Sequence, residues 1–233
     1  MYFIITVDTE ADNQWADPVP KTTENIRFIP RFQALCDRFG FKPTYLCSYE
    51  MVKDPLLHDT IAPYETSRRA EIGAHLHPWS TPPFEPYEMQ GTRYKSFPRE
   101  LPIDVFEKKL SVLTEAITEI FGQRPTSYRA GRYGFCEAHI NILLKFGYGV
   151  DCSVVPYTSY KNFIGIPGGS GGADFRNARP GAYYLSKSDC TQSGASDLLE
   201  VPVTIFSPGG HLPLTRECSS GGLIMQVDCR QGY

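Results

Sequence analysis

The chain has no apolar run long enough to cross a membrane, no cluster of basic residues and no Cys-x-x-Cys pair. The first absence excludes a helical span, which needs about 20 consecutive apolar residues. The second, with a formal net charge of -3, leaves nothing to grip a phosphate backbone, so no nucleic-acid partner is expected. The cysteines number seven, Cys36, Cys47, Cys136, Cys152, Cys190, Cys218 and Cys229. An odd set without paired spacing argues for free thiols in a reducing compartment. The opening Met-Tyr-Phe-Ile-Ile-Thr-Val-Asp lacks the basic start of an export signal, so a cytoplasmic chain is expected. The glycine-rich stretch Pro167-Gly-Gly-Ser-Gly-Gly has no Gly-Lys-Ser/Thr and no helical pattern after it, which excludes a phosphate loop.

What is present is a globular composition. Apolar residues make up 41% and charged residues 21% of 233 positions, enough for one large core. The aromatic fraction of 13% is high, and such rings more often fill cores than grip sugars.

Tyr2–Val7 is a continuous β-branched and aromatic run, the mark of a strand buried on both faces. Phe28, Phe32, Leu35, Cys36 and Phe39 recur at helical spacing before Gly40, with Pro30 in the first turn. Thr44–Tyr49 reads as a second strand, and residues 51–70 as a weak helix and loop. Glu71–His77 is a third strand, ended by Pro78. A loop rich in proline and aromatics, Thr81–Leu101, follows the histidines and is long enough to carry substrate contacts. Ile103, Phe106, Leu110, Leu113, Ile117 and Ile120 predict a helix over Pro102–Phe121, stopped by Gly122. Thr126–Ala130, Val150–Val155 and Leu198–Phe206 complete six expected strands, with a helix at Cys136–Phe146. Strands alternating with helices imply a parallel sheet, and polar residues gathered at the strands' carboxyl ends favour a barrel-like α/β fold in one domain.

Alternate residues on a strand share a face. Asp8 and Glu10 therefore project together, as do His75 and His77, and a pair of neutral imidazoles at a strand end suits a divalent metal. Each feature also has a bland reading. Asp8-Thr9-Glu10 can cap a helix, Arg129 can pair structurally with Asp151, and Arg132 and Tyr133 can be loop surface.

Taken in order, Thr6-Val7-Asp8-Thr9-Glu10, Glu71-Ile72-Gly73-Ala74-His75-Leu76-His77 and Tyr128-Arg129-Ala130-Gly131-Arg132-Tyr133 resemble the first three motifs of the polysaccharide deacetylases. These are the NodB-homology enzymes, or carbohydrate esterase family four, and the resemblance covers roughly residues 2–206. It implies an α/β fold, a distorted (β/α)7 barrel, with a catalytic domain over 1–215. The family's last motif finds no match, so the barrel is expected to be incomplete at the C-terminus, with an irregular tail over 216–233. His211 is a poor stand-in for that motif's histidine acid.

The resemblance also implies roles. Asp8 matches the catalytic base and Arg129 the arginine that orients it. His75 matches a metal histidine; Glu10 and His77 take the other metal positions, each two residues from its neighbour rather than at the family's usual spacing. Asp151 resembles the fourth-motif aspartate. Trp79, Arg132, Tyr133 and Asp151 are the expected substrate contacts, with backbone N–H groups around Arg132 and Tyr133 as an oxyanion hole. The implied cofactor is a divalent metal, zinc first, with cobalt, nickel or manganese as alternatives. The implied partner is a carbohydrate or another acetamido small molecule, with no nucleic acid and no membrane span. The implied reaction is removal of an acetyl group from an N-acetylated sugar in polysaccharide or lipopolysaccharide biosynthesis. Two other readings stay open: hydrolysis of another linear or cyclic C–N bond, of ureide or imide type, and an inactive truncated barrel that only binds metal or carbohydrate.

Overall fold

The computed structural model describes residues 3–12, 14, 22–86, 95–206 and 223–224. Its strands in chain order are β1 (Thr6–Thr9), β2 (Thr44–Cys47), β3 (Glu71–Leu76), β4 (Ser127–Ala130), β5 (Val150–Asp151), β6 (Tyr183–Ser186), β7 (Asp189–Ser193) and β8 (Leu199–Glu200). Strands β1 to β5 lie side by side and β8 follows β5, all parallel; these are the six expected strands. β6 then adds antiparallel to β8, and β7 antiparallel to β6. The hairpin occupies a region without an expected element, although burial alternates along it, Tyr183 and Leu185 in and Tyr184 out. Among the described residues the sheet is an open arc, with β1 at one edge and β7 at the other. Of the tail expected over 216–233, what is described is β10 (Leu223–Ile224), in a two-residue antiparallel ladder with β9 (Ile205–Phe206).

Register decides what each face carries. His75 aligns with Arg129, and Asp8 with Leu46, which aligns with Gly73, two residues before His75. Asp8, His75 and Arg129 therefore share one face. Thr9, Cys47, Ala74, Tyr128 and Asp151 align on the other.

That other face packs under helices. The helices are α1 (Ile29–Arg38), α2 (Tyr49–Val52), α3 (Pro55–Thr66), α4 (Ile103–Phe121) and α5 (Ile140–Lys145). In α4, Val105, Phe106, Leu110, Leu113, Ala116 and Ile117 are buried, and Phe106 meets Tyr128 edge to face at 6.4 Å. Each large side chain so buried contributes roughly 1.5–3 kcal/mol. Gly122 ends α4 with φ of 70°, its N–H returned to the Thr118 carbonyl, a left-handed cap that only glycine adopts without strain.

The first helix departs from its expected stripe. Pro30 lies in the first turn of α1 as expected, but Phe28, Leu35 and Phe39 are 54%, 52% and 60% exposed. The buried face is Ile29, Gln33 and Cys36. Gln33 can be buried because it is satisfied: Tyr45 Oη donates to its Oε1 at 2.9 Å, and its Nε2 donates to Asp37 at 2.8 Å. A polar pair, invisible to an apolar count, sets the rotation of the helix. In α3 the N-terminal cap is Asp54, whose carboxylate accepts the Leu56 N–H. Only Leu57 and Ile61 are buried there, so its sequence signal was short.

Candidate metal centre

Three carboxyl-terminal strand ends meet on the face shared by Asp8 and His75. One oxygen of Glu10 lies 3.3 Å from His75 Nε2 and 3.2 Å from His77 Nε2. All three residues are buried, and their candidate ligand atoms lie within 4.8 Å of one another. The alternation explains the choice of carboxylate. Thr9 points to the opposite face, where its hydroxyl donates to the Val7 carbonyl, so Glu10 is the next acidic side chain on the Asp8 face.

The donor set fits a divalent cation. Two imidazoles and a carboxylate form a zinc-type set that leaves coordination positions open. His75 Nδ1 lies 3.1 Å from the Arg129 carbonyl. A carbonyl only accepts, so Nδ1 carries the proton and Nε2 presents its lone pair to the centre. Burial disfavours charge on His75, yet Asp8 and Glu10 outweigh it and raise the pKa of this ring. The surroundings thus favour positive charge at this point.

His77 is held from two sides. Its ring stacks on Trp79 with centroids 4.4 Å apart and planes at 14°. On the other side, a Cβ at position 131 would collide with His77 Cδ2 and the Leu76 carbonyl. Glycine at 131 is what lets β4 close on the ring. The bracing continues outward, with Trp79 Nε1 donating to Gln14 Oε1 at 3.1 Å and Gln14 Nε2 donating to Glu50. Ser48 Oγ donates to the same Glu50 oxygen at 2.7 Å.

Asp8 and Arg129 form a buried pair at 2.5 Å. The guanidinium also donates to Thr6 Oγ1 at 2.6 Å and to the Cys152 carbonyl at 2.8 Å. Burial opposes the charge on Arg129, but Asp8 outweighs it and the net shift is upward. The pair is therefore ionised, with Asp8 oriented from behind.

The four expected substrate contacts divide. Tyr133 reaches the site: its ring lies 6.0 Å from the Arg129 guanidinium and stacks on Tyr160 at 5.6 Å. Arg132 turns its side chain away, over the Phe97 ring at 3.7 Å and onto the Lys95 carbonyl. Both residues have left-handed backbones, with φ of 54° and 55°, a conformation costing of order 1–3 kcal/mol per residue. Trp79 is only 6% exposed; it backs His77 instead of facing a ligand. Asp151 is corrected outright. Its register with Tyr128 puts it on the helix-covered face, fully buried beside Ser153 and Glu200. Arg129 accordingly pairs with Asp8 and leaves Asp151 to Glu200 and Ser153. His211 lies outside the described residues.

Gly131, Gln14 and Tyr160 were not singled out from the sequence. Gly131 had a signal, standing inside the third motif between Ala130 and Arg132, where close backbone approach is a usual reason for glycine; Gln14 and Tyr160 had none.

No family model matches the sequence, and no curated protein matches it. Solved structures do. A protein from Mycobacterium smegmatis, assigned as a polysaccharide deacetylase, superposes with TM-score 0.54 at 18% identity over 89% of this chain. One from Parabacteroides distasonis, assigned as a glycoside hydrolase/deacetylase, gives 0.58 at 14% over 85%. This chain has the polysaccharide deacetylase fold. It spans 63% and 44% of the length of those two chains. The 4-alpha-glucanotransferase of Thermococcus litoralis is also similar, with TM-score 0.51 at 10% identity over 86% of this chain and 27% of its own. Its name carries a different reaction, so the deacetylase fold does not by itself choose the chemistry. No helix among the described residues is long and apolar enough to cross a membrane.

Proposed function

We propose that this chain is a metal-dependent hydrolase that removes the acetyl group from an N-acetylated sugar in polysaccharide or lipopolysaccharide biosynthesis. Glu10, His75 and His77 hold the cation, zinc by the chemistry of the donors. The observation that carries the reading is that both Nε2 atoms lie 3.2–3.3 Å from one Glu10 oxygen, beside the buried Asp8–Arg129 pair. A bound divalent metal supplies Lewis acidity, polarising the acetyl carbonyl and acidifying a water. Asp8 takes the proton of that attacking water, and Arg129 keeps the carboxylate ionised and aimed. The departing nitrogen takes up a proton as the C–N bond breaks. Tyr133, beside the Arg129 guanidinium, is the aromatic substrate contact in this reading. Five described cysteines are unpaired thiols, in keeping with a reducing, cytoplasmic setting.

The test uses zinc-loaded protein with N-acetylglucosamine oligomers and a cyclic ureide. Acetate release from the sugars is expected, falling 10²–10⁴-fold in Asp8→Asn, the usual worth of a general base. Ring opening of the ureide without acetate release would move the reading to the cyclic C–N class.

A further inference from the structure

Lysine is rarely found fully buried, because its charge must be satisfied away from water. Lys109 lies in the middle of the apolar stripe of α4, between Phe106 and Leu113, with no exposed surface. Its Nζ donates to three backbone carbonyls: Pro78 at 2.8 Å, Thr81 at 2.8 Å and Pro83 at 2.6 Å. It also stands 5.5 Å from the centre of the Phe84 ring. These partners belong to one short turn, the one leaving His77. An ammonium has three donors that swivel, which matches three converging carbonyls; the flat fork of an arginine does not.

The turn is attached to His77 at several points. The N–H groups of Ser80 and Thr81 return to the His77 carbonyl at 3.2 and 3.0 Å. Trp79, carried between Pro78 and Ser80, lies flat on the His77 ring. The ammonium thus ties α4 to the segment that sets where that imidazole points.

We propose that Lys109 is a positioning residue for the metal centre, acting through the 78–84 turn and Trp79 to fix the His77 ring. This rests on the metal reading of Glu10, His75 and His77. The apolar stripe of α4 would be better filled by Leu or Met if packing alone were at stake. Lysine there keeps the turn from collapsing into any of the arrangements an apolar contact would tolerate.

The test measures zinc affinity by competition with a chromogenic chelator, together with hydrogen exchange across 78–84. The variants are Lys109→Met, Lys109→Arg and, as a control for packing in the same helix, Leu113→Ala. Lys109→Arg keeps the charge and guards against a Met variant that does not fold. Both Lys109 variants are expected to bind zinc 10–100-fold more weakly, the scale of lost outer support to a metal ligand, and to exchange faster in the turn. Leu113→Ala should lower the melting temperature and leave zinc affinity within two-fold. Faster exchange with unchanged zinc affinity in both Lys109 variants overturns the proposal and leaves the metal reading standing. Failure of the unmodified protein to bind zinc removes both.

Discussion

Asp8 and Asp151 stand on strands of one sheet, but alternation turns them to opposite faces and their surroundings differ accordingly. Asp8 has a buried guanidinium at 2.5 Å, and beyond it a cluster of imidazoles and a second carboxylate. Its face gathers charge and holds it ionised. Asp151 is covered by the helix layer and pairs with Glu200, the residue aligned with it on β8. Burial raises the pKa of both carboxyls, so the pair gives up its last proton at a higher pH than exposed carboxyls do. Ser153 donates both its hydroxyl and its N–H to Asp151, and the Val154 N–H goes to Glu200 Oε1. One face stabilises its carboxylate with a cation; on the other, burial pushes both carboxyls toward the neutral form. The difference teaches that a buried acid marks a reactive site only when its counter-charge leaves it ionised and within reach of other ligands.

The comparison breaks most visibly if the inner face is emptied of a ligand. His75→Ala and His77→Ala should each abolish stoichiometric zinc binding, read by elemental analysis of dialysed protein. Retention of one tightly held ion in both variants would sink the assignment of that face. A smaller change sharpens the same point without removing a ligand. Gly131→Ala places a methyl group against His77 Cδ2, and the ring must move to admit it. Zinc affinity should fall about 10–100-fold, the range found when the support of a metal ligand is disturbed. An unchanged affinity would mean that β4 yields more readily than the imidazole.

Much of the inner face was legible because a strand's two-residue period is rigid. Asp8 and Glu10, then His75 and His77, follow from counting alone, and the parallel alternation of strands and helices placed both pairs at carboxyl ends. Asp151 was misplaced because face depends on register between strands, and a single sequence does not encode whether Val150 or Asp151 aligns with Arg129's neighbour. Trp79 and Arg132 were misread for a related reason: their positions beside the motif were right, while the direction of each side chain was set by partners distant in sequence, Gln14 for one and the 95–97 loop for the other. Lys109 stood in plain view on the apolar face of the clearest helix. Only the carbonyls it holds, contributed by a proline-rich turn with no periodicity, explain its presence there.

The smallest expected effect probes the outer face. An unfolded chain loses the protons of both Asp151 and Glu200 by about pH 4–5, whereas the folded pair retains one above that range because both carboxyls are shifted upward. Where the native state binds more protons than the unfolded one, stability falls as pH rises. The contribution of this pair is therefore complete below the unfolded carboxylate values and is lost as pH climbs through the raised folded value, at up to about 1.4 kcal/mol per pH unit. Glu200→Gln keeps an N–H donor for Asp151 and a carbonyl for the Val154 N–H while carrying no proton to lose. Urea unfolding at intervals from pH 5 to 8 should give a flatter profile for the variant, with the variant more stable than the parent by about 1–3 kcal/mol at the alkaline end. Parallel profiles would show that Glu200 is ionised in the fold, and the contrast between the two faces would then be one of accessibility rather than of charge.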